Sequence, residues 1–281
     1  VTVFSKKQLP NKKIIWRRPV TNNSSVVSVS IVTFNNADVL NERLDILLPI
    51  FKINQVTSIF IVDNHSTDGT RNILKQISED EPQLKVIFLD QNKGFGYGHN
   101  QAIKQTNSQY HIVMNLDTTP KKENIIHNMG QYMNKHQNIN LLSPLILFPD
   151  RTIQRLTRNE PTVFDLAIRF LGPSWFKKRQ EKFVNLNDGY NREQIIRNAT
   201  GCFMFLRVSA LKSIGGFDER YFLYMEDTDL TKAINENGEA FFSPDFEVIH
   251  EWQRGNHSIG GAKLMIISMI KYFNKWGWKL W

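Results

Sequence analysis

Residues 26–34 read VVSVSIVTF. β-Branched and apolar side chains run through this stretch almost unbroken, the pattern of a strand covered on both faces. The chain downstream repeats the alternation of strand and helix. Residues 38–52 read as a helix, and Ser58 to Val62 (SIFIV) as a second strand. Thr67 is a candidate cap for a helix running to about Ser78, and Lys85 to Leu89 (KVIFL) is a third strand. A helix is expected to start near Gly98, before a fourth strand at Tyr110 to Asn115 (YHIVMN). Short strands alternating with helices predict a mostly parallel central sheet with helices on both faces. Ligands of such sheets sit beyond the carboxyl ends of the strands. The polar loops after Phe34, Val62, Leu89 and Asn115 share that edge.

The second half is less regular. Strands are expected at 140–147 and 202–207, a helix at 227–237, an extended piece at 240–249 and a helix at 262–281. The stretch 158–195 carries Arg169, Phe170, Trp175, Phe176 and Phe183 without a clear period, and reads as a mobile loop with short helices.

With 281 residues, 41% hydrophobic and 22% charged, the chain is able to bury one large core. Its single cysteine, Cys202, excludes an intramolecular disulfide and any multi-cysteine zinc site. The net charge of +8 gathers at the ends. Lys6, Lys7, Lys12, Lys13, Arg17 and Arg18 give residues 1–28 a charge of +6. Arg254, Lys263, Lys271, Lys275 and Lys279 against Glu251 give residues 250–281 a charge of +4. Basic ends on a mildly acidic body point to an anionic surface, of lipid or nucleic acid, or serve solubility alone. No run of about 18 apolar residues is expected to span a membrane, and the start lacks an apolar leader.

Five constellations carry chemistry. Asp63-Asn64-His65-Ser66-Thr67-Asp68-Gly69-Thr70 ends a buried strand with a carboxylate suited to a base or ribose, or to capping the next helix. In Asn92-Lys93-Gly94-Phe95-Gly96-Tyr97-Gly98-His99-Asn100, alternate glycines let backbone approach a ligand, with a helix N-terminus behind them for phosphate. A dinucleotide fingerprint would need glycine where His99 stands. Asn115-Leu116-Asp117-Thr118-Thr119-Pro120 offers an acid for a metal on two phosphates, or an N-cap for a helix over 121–136. Gly215-Gly216-Phe217-Asp218-Glu219 precedes Glu226-Asp227-Thr228-Asp229-Leu230, where an acid at a helix start can act as general base. His250, followed by Arg254, Asn256, His257 and Ser258, is a weaker candidate for a metal shell or phosphate site.

Taken together and in order over residues 28–260, these segments resemble glycosyltransferase family 2, especially its rhamnosyltransferase-like members. The resemblance implies a GT-A fold, a Rossmann-like α/β domain over 26–261 between a basic arm at 1–25 and an amphipathic C-terminal helix at 262–281. It implies an inverting transfer from a deoxythymidine- or uridine-diphosphate sugar, deoxythymidine-diphospho-rhamnose among them, in bacterial O-antigen or capsule synthesis. By the same resemblance Thr33, Asn35, Asp63 and Asn64 hold the nucleoside, and Lys93, Gly94, Asn100 and Asn115 line the nucleotide-sugar site. Asp117 meets the diphosphate and a divalent metal, Mn2+ or Mg2+, with His250 as a further ligand. Asp227 is the base and Glu226 orients the acceptor. The chain departs from the family at Thr119, where a second carboxylate is common, which puts the strength of metal binding in question.

Lys271, Lys275 and Lys279 stand four residues apart beside Trp276, Trp278 and Trp281, a pattern suited to a membrane interface or to packing on the domain. A lipid-linked saccharide acceptor would lie there, which places the expected enzyme at the cytoplasmic face of the cell membrane. Two rival readings fit less well. A nucleotidyltransferase needs a glycine-rich loop after the first strand, and Phe34-Asn35-Asn36-Ala37-Asp38 has no glycine. A non-catalytic nucleotide- or nucleic-acid-binding protein leaves the acids between Asp218 and Asp229 without a role.

Overall fold

The computed structural model describes residues 26–168, 175–186, 189–251 and 259–281. The basic arm at 1–25, Arg169, Phe170, Arg254, Asn256, His257 and Ser258 lie outside the described residues. Strand β1 (Val27–Thr33) occupies the interior of the sheet, as its β-branched and small buried side chains suit, between β2 (Ser58–Asp63) and β4 (Tyr110–Met114). Strand β3 (Leu84–Phe88) adds beyond β2, and these four strands run parallel. Helices α1 (Leu40–Ile53), α2 (Thr70–Asp80) and α3 (Phe95–Gln105) make the crossovers.

Beyond β4 the sheet becomes mixed. Strand β8 (Phe203–Arg207) pairs antiparallel with both β4 and β6 (Ile139–Leu147). Strand β9 (Glu239–His250) runs parallel to β6 and antiparallel to β5 (Thr118–Pro120) and β7 (Gln194–Ile195). Alternate strand residues feed two cores. Val29, Ile31, Ile61 and Ile112 pack beneath α1, α2 and α4 (Ile125–Lys135). Val113, Met204 and Leu206 pack beneath α3, α7 (Val208–Ser213) and α8 (Glu226–Asn235). Full burial of such side chains contributes about 1.5–3 kcal/mol each. The irregular stretch holds α5 (Val163–Ile168) and α6 (Lys177–Phe183), which join α9 (Ile259–Trp276) in a third cluster around Tyr221 and Tyr272.

Four expectations change in the structure. First, α3 begins at Phe95, a turn earlier than Gly98, so Gly96 and Gly98 lie inside a helix. Their missing side chains serve packing: a Cβ at Gly98 would come within 2.8 Å of Val32, and one at Gly96 within 2.9 Å of Phe217. Second, no helix is capped by the Asp117 segment. Thr118–Pro120 is a strand whose backbone is taken by Val248, Ile249 and His250, and α4 starts at Ile125. Third, Asp68, not Thr67, serves the start of α2: its carboxylate accepts the Thr70 N–H at 3.0 Å and the Ala37 N–H at 2.9 Å. Fourth, α9 spans Ile259–Trp276, so the boundary expected at 261 falls inside it and Lys279 lies past its end.

The C-terminal lysines are turned toward the domain. Lys275 pairs with Asp229 at 2.8 Å and Asp218 at 3.0 Å, Lys279 with Glu160 at 2.6 Å, and Lys271 donates to the Arg220 carbonyl. Ile266, Ile267 and Ile270 are exposed on α9 instead. Among the described residues no helix is long and apolar enough to cross a membrane.

Close packing of α3 on β1 makes a signed prediction. In an open helix, glycine to alanine gains about 0.5–1 kcal/mol. At Gly98 the added methyl meets Val32, so Gly98→Ala should lower the unfolding free energy by about 1–3 kcal/mol, measured by denaturant unfolding. A variant more stable than the parent would contradict this packing.

Candidate active site

The loops that follow β1 and β2 are locked to each other. Asn35 has a φ of 53°, donates its backbone N–H to the Ser66 hydroxyl at 2.8 Å and accepts the Thr67 N–H on its side-chain oxygen at 2.8 Å. Asp63 is fully buried, pairs with Arg71 at 3.0 Å and accepts the Ser66 N–H. The amide of Asn64 reaches the next loop, donating to the Gly94 carbonyl at 3.2 Å and accepting the Lys93 N–H at 3.1 Å. Thr33 differs from these three, because its buried hydroxyl oxygen has no hydrogen-bond partner among the described residues.

The glycine segment packs on protein. Gly94 has a φ of +94°, and a Cβ there would come within 2.0 Å of the Phe222 carbonyl oxygen. Lys93 is exposed, with its ammonium 4.6 Å from the centre of the Tyr97 ring. Asn100 is 2% exposed, and its amide is spent on Phe217 and Glu219. It fastens the Gly215–Glu219 turn to α3, away from the loops of β1 and β2.

Asp117 lines a cleft of about 210 Å³ together with Asn36, Arg43, Asn115 and Glu251, and the buried His250 stands against Asp117. The Asp117 carboxylate is 3.4 Å from Nε2 of His250, and the Asn115 amide is 3.5 Å from the same nitrogen. Gln154 sets the tautomer of that ring. Its amide nitrogen donates to the carbonyls of His250 at 2.6 Å and Leu147 at 3.3 Å, so its oxygen faces Nδ1 of His250 at 3.0 Å. An amide oxygen only accepts, so Nδ1 carries a proton, and in the neutral ring it is Nε2 that presents a lone pair toward Asp117. Two converging lone-pair donors fit a divalent cation that completes its shell from ligand phosphates. No set of three metal-binding His, Cys, Asp or Glu groups occurs among the described residues. Thr119 is otherwise engaged: its hydroxyl oxygen accepts from Arg43 at 2.8 Å.

Arg43 was not among the candidates, nor were Glu251 and Gln154. The buried guanidinium of Arg43 also donates to the Leu116 carbonyl at 3.0 Å and to Glu251 at 2.6 Å, which holds the Asp117 loop open to the cleft. Its signal is in the sequence, since it shares the apolar face of α1 with Leu40, Leu44 and Leu47. A charge on a buried stripe needs a partner. Gln154 has no comparable signal.

The second pair of acids stands at the start of α8. Tyr224 and Met225 adopt positive φ of 69° and 67°, turning the chain sharply into the helix. The Asp227 carboxylate is half-buried and accepts the Gly201 N–H at 3.1 Å and the Thr228 N–H at 2.7 Å. Asp229 is committed to the fold through Tyr221, Lys275 and Trp276, and Asp218 through Arg220 and Lys275. One residue on from Gly201, the Cys202 carbonyl accepts the Asn115 N–H at 3.0 Å and the Thr118 hydroxyl at 3.2 Å. Residues 201 and 202 therefore tie the Asp117 loop to Asp227. Burial pushes the Cys202 thiol up to about 12, which removes it as a nucleophile.

Glu226 is buried, and one carboxyl oxygen has no partner among the described residues. Burial first, then the charge of Asp227, raises its pKa from 4.5 to about 8. A raised carboxyl pKa means that the folded protein binds the proton more tightly than the unfolded chain. Its stabilising share is complete below about pH 4.5 and is lost as pH rises to about 8. Glu226→Gln cannot ionise, so its melting temperature should gain on the parent's between about pH 5 and pH 8. A difference that stays constant over that range would contradict the buried neutral carboxyl.

A family model for glycosyl transferase family 2 matches residues 28–215. Over 212 residues the chain is 28% identical to the N-acetylglucosaminyl-diphospho-decaprenol L-rhamnosyltransferase of Mycobacterium tuberculosis, covering 69% of this chain and 66% of that relative. It is 23% identical over 234 residues to rhamnosyltransferase WbbL of Escherichia coli, covering 71% of this chain and 85% of that one. The chain thus spans just under two thirds of the mycobacterial relative's length. Among solved structures, the mannosyltransferase PcManGT of Pyrobaculum calidifontis, in complex with GDP-Man and Mn2+, superposes with a TM-score of 0.63 at 17% identity, over 90% of this chain and 65% of that one. The shared architecture is the GT-A fold.

Proposed function

The chain belongs to glycosyl transferase family 2, and from that premise we propose that it is an inverting glycosyltransferase. On this reading it moves a sugar, rhamnose or another hexose, from a deoxythymidine- or uridine-diphosphate carrier to a hydroxyl of a lipid-diphosphate-linked saccharide in bacterial surface polysaccharide synthesis. The observation that carries the reading is the tie at residues 201–202, with Asp117 and His250 on one side and Asp227 on the other.

Asp227 takes the proton from the acceptor hydroxyl as its oxygen bonds to the anomeric carbon. The bond from that carbon to the diphosphate breaks on the opposite face, so the configuration inverts and a nucleoside diphosphate leaves. Asp227 already accepts two backbone N–H groups, which fixes the direction of its carboxylate. Glu226, protonated below about pH 8, supplies a neutral hydrogen bond that orients the acceptor without competing for its proton. Asp117 and His250 would hold a divalent cation, whose chemistry is to stabilise charge on the departing diphosphate. The buried hydroxyl of Thr33 is available to the nucleoside, while Asn35, Asp63 and Asn64 shape the pocket around it. Lys93 and Asn115 complete the donor side, and Gly94 and Asn100 hold its frame. A lipid-linked acceptor sets the enzyme at the cytoplasmic membrane face, with Ile266, Ile267, Ile270, Trp278 and Trp281 as the exposed apolar contacts.

Asp227→Asn keeps the shape of the side chain and removes the base. Transfer should fall by about 100-fold or more while the affinity for the nucleoside diphosphate stays within about twofold. Near-normal turnover of this variant in a transfer assay would reject Asp227 as the base.

A further inference from the structure

A second cavity, of about 360 Å³, has a lining that includes Gln154, Arg155, Arg158, Phe148, Ile153 and Phe183. It touches both halves of the site. Gln154 is the residue that orients His250. The Arg158 backbone N–H donates to the Asn198 carbonyl at 3.2 Å, and the Asn198 side-chain oxygen accepts from the hydroxyl of Thr228, the residue after Asp227, at 3.2 Å.

Arg158 is in an unusual state. Its Nε is buried with no hydrogen-bond partner, and no carboxylate lies within ion-pair distance of it among the described residues. Burial lowers its pKa, and the nearby charge of Asp227 opposes that effect without a direct contact. Arg158 is half-buried, and a guanidinium whose Nε is closed off from water without a hydrogen-bond partner is poised to meet an anion. Arg155, on the same wall, is exposed and has no ion pair among the described residues. Phe148, Ile153, Leu156, Phe183 and Val184 supply an apolar wall and Gln180 completes the lining with Gln154, so the cavity sets two arginines against a largely apolar wall.

We propose that Arg155 and Arg158 bind the diphosphate of the acceptor, and that the apolar wall receives the first units of its lipid. The inference rests on the transferase reading above and adds the acceptor's phosphate site to it. Guanidinium groups meet phosphate oxygens through paired charge-assisted hydrogen bonds. The order along the acceptor is then the hydroxyl at Asp227, the sugar, the diphosphate at Arg158 and Arg155, and the lipid beyond them against Ile153, Leu156 and Val184.

The test uses the full chain with farnesyl diphosphate as probe, titrated while a saturating nucleoside diphosphate occupies the donor cleft. Binding of that nucleoside diphosphate is measured first and alone, because its absence would sink the transferase reading itself. With donor binding intact, Arg155→Gln and Arg158→Gln should each weaken farnesyl diphosphate by about tenfold or more. Arg158→Lys should recover part of that loss. Farnesol, which lacks the phosphates, should bind far more weakly than farnesyl diphosphate. The exposed Arg155 gives a readout even if position 158 does not tolerate change. Unaltered farnesyl diphosphate affinity in Arg155→Gln would overturn the site while leaving the transferase reading standing. Inorganic pyrophosphate binding as tightly as farnesyl diphosphate would also overturn it, by reducing the cavity to a general anion site.

Discussion

The backbone of Gly201 and Cys202 is the constraint on which the site depends. The N–H of Gly201 goes to the Asp227 carboxylate, and the carbonyl of Cys202 goes to Asn115 and Thr118. These two residues lead into β8, whose antiparallel ladder on β4 fixes their height against the Asp117 loop. Acids more than 100 positions apart in sequence are thereby held by a single peptide segment. Hydrogen bonds to a charged carboxylate are among the stronger ones in proteins, and each fixes direction as well as distance.

The remaining elements keep those two acids in place. Arg43 braces the Asp117 loop from α1 through Leu116, Thr119 and Glu251. Gln154 holds the ring of His250 in one tautomer. On the other side Asp229, two residues beyond Asp227 on α8, is gripped by Tyr221 and by Lys275 and Trp276 of α9. The C-terminal helix therefore supports α8 as a structural clamp, with Lys271 and Lys275 turned to the domain.

The parallel half of the fold was legible because its strands are buried on both faces and read as continuous apolar runs. The loops after β1, β2 and β4 were legible because they follow those strands at the carboxyl edge, where Asp63 ends β2 and Asp117 follows β4, whereas Asp227 opens α8 and stood out only as an acid at a helix start. The glycine segment misled for a physical reason: glycine serves a ligand's approach and helix packing equally well, and only Val32 and Phe217 decide between them. Thr118–Pro120 was hidden because a three-residue strand depends on a partner some 130 residues away. Gln154 and Arg158 carry no local pattern at all, and their roles arise from contacts that only the fold creates. Arg43 was within reach, as a charge on an apolar helix face.

The most direct test of the central claim is thermal stabilisation of the protein by a panel of nucleoside diphosphates, each with and without manganese. A ligand that binds the native state at 100 times its dissociation constant adds about 2.7 kcal/mol to apparent stability, well within reach of a melting experiment. The account predicts a manganese-dependent upward shift with uridine or deoxythymidine diphosphate, and a smaller shift or none with the other bases. No shift with any nucleotide, with or without the metal, would contradict it.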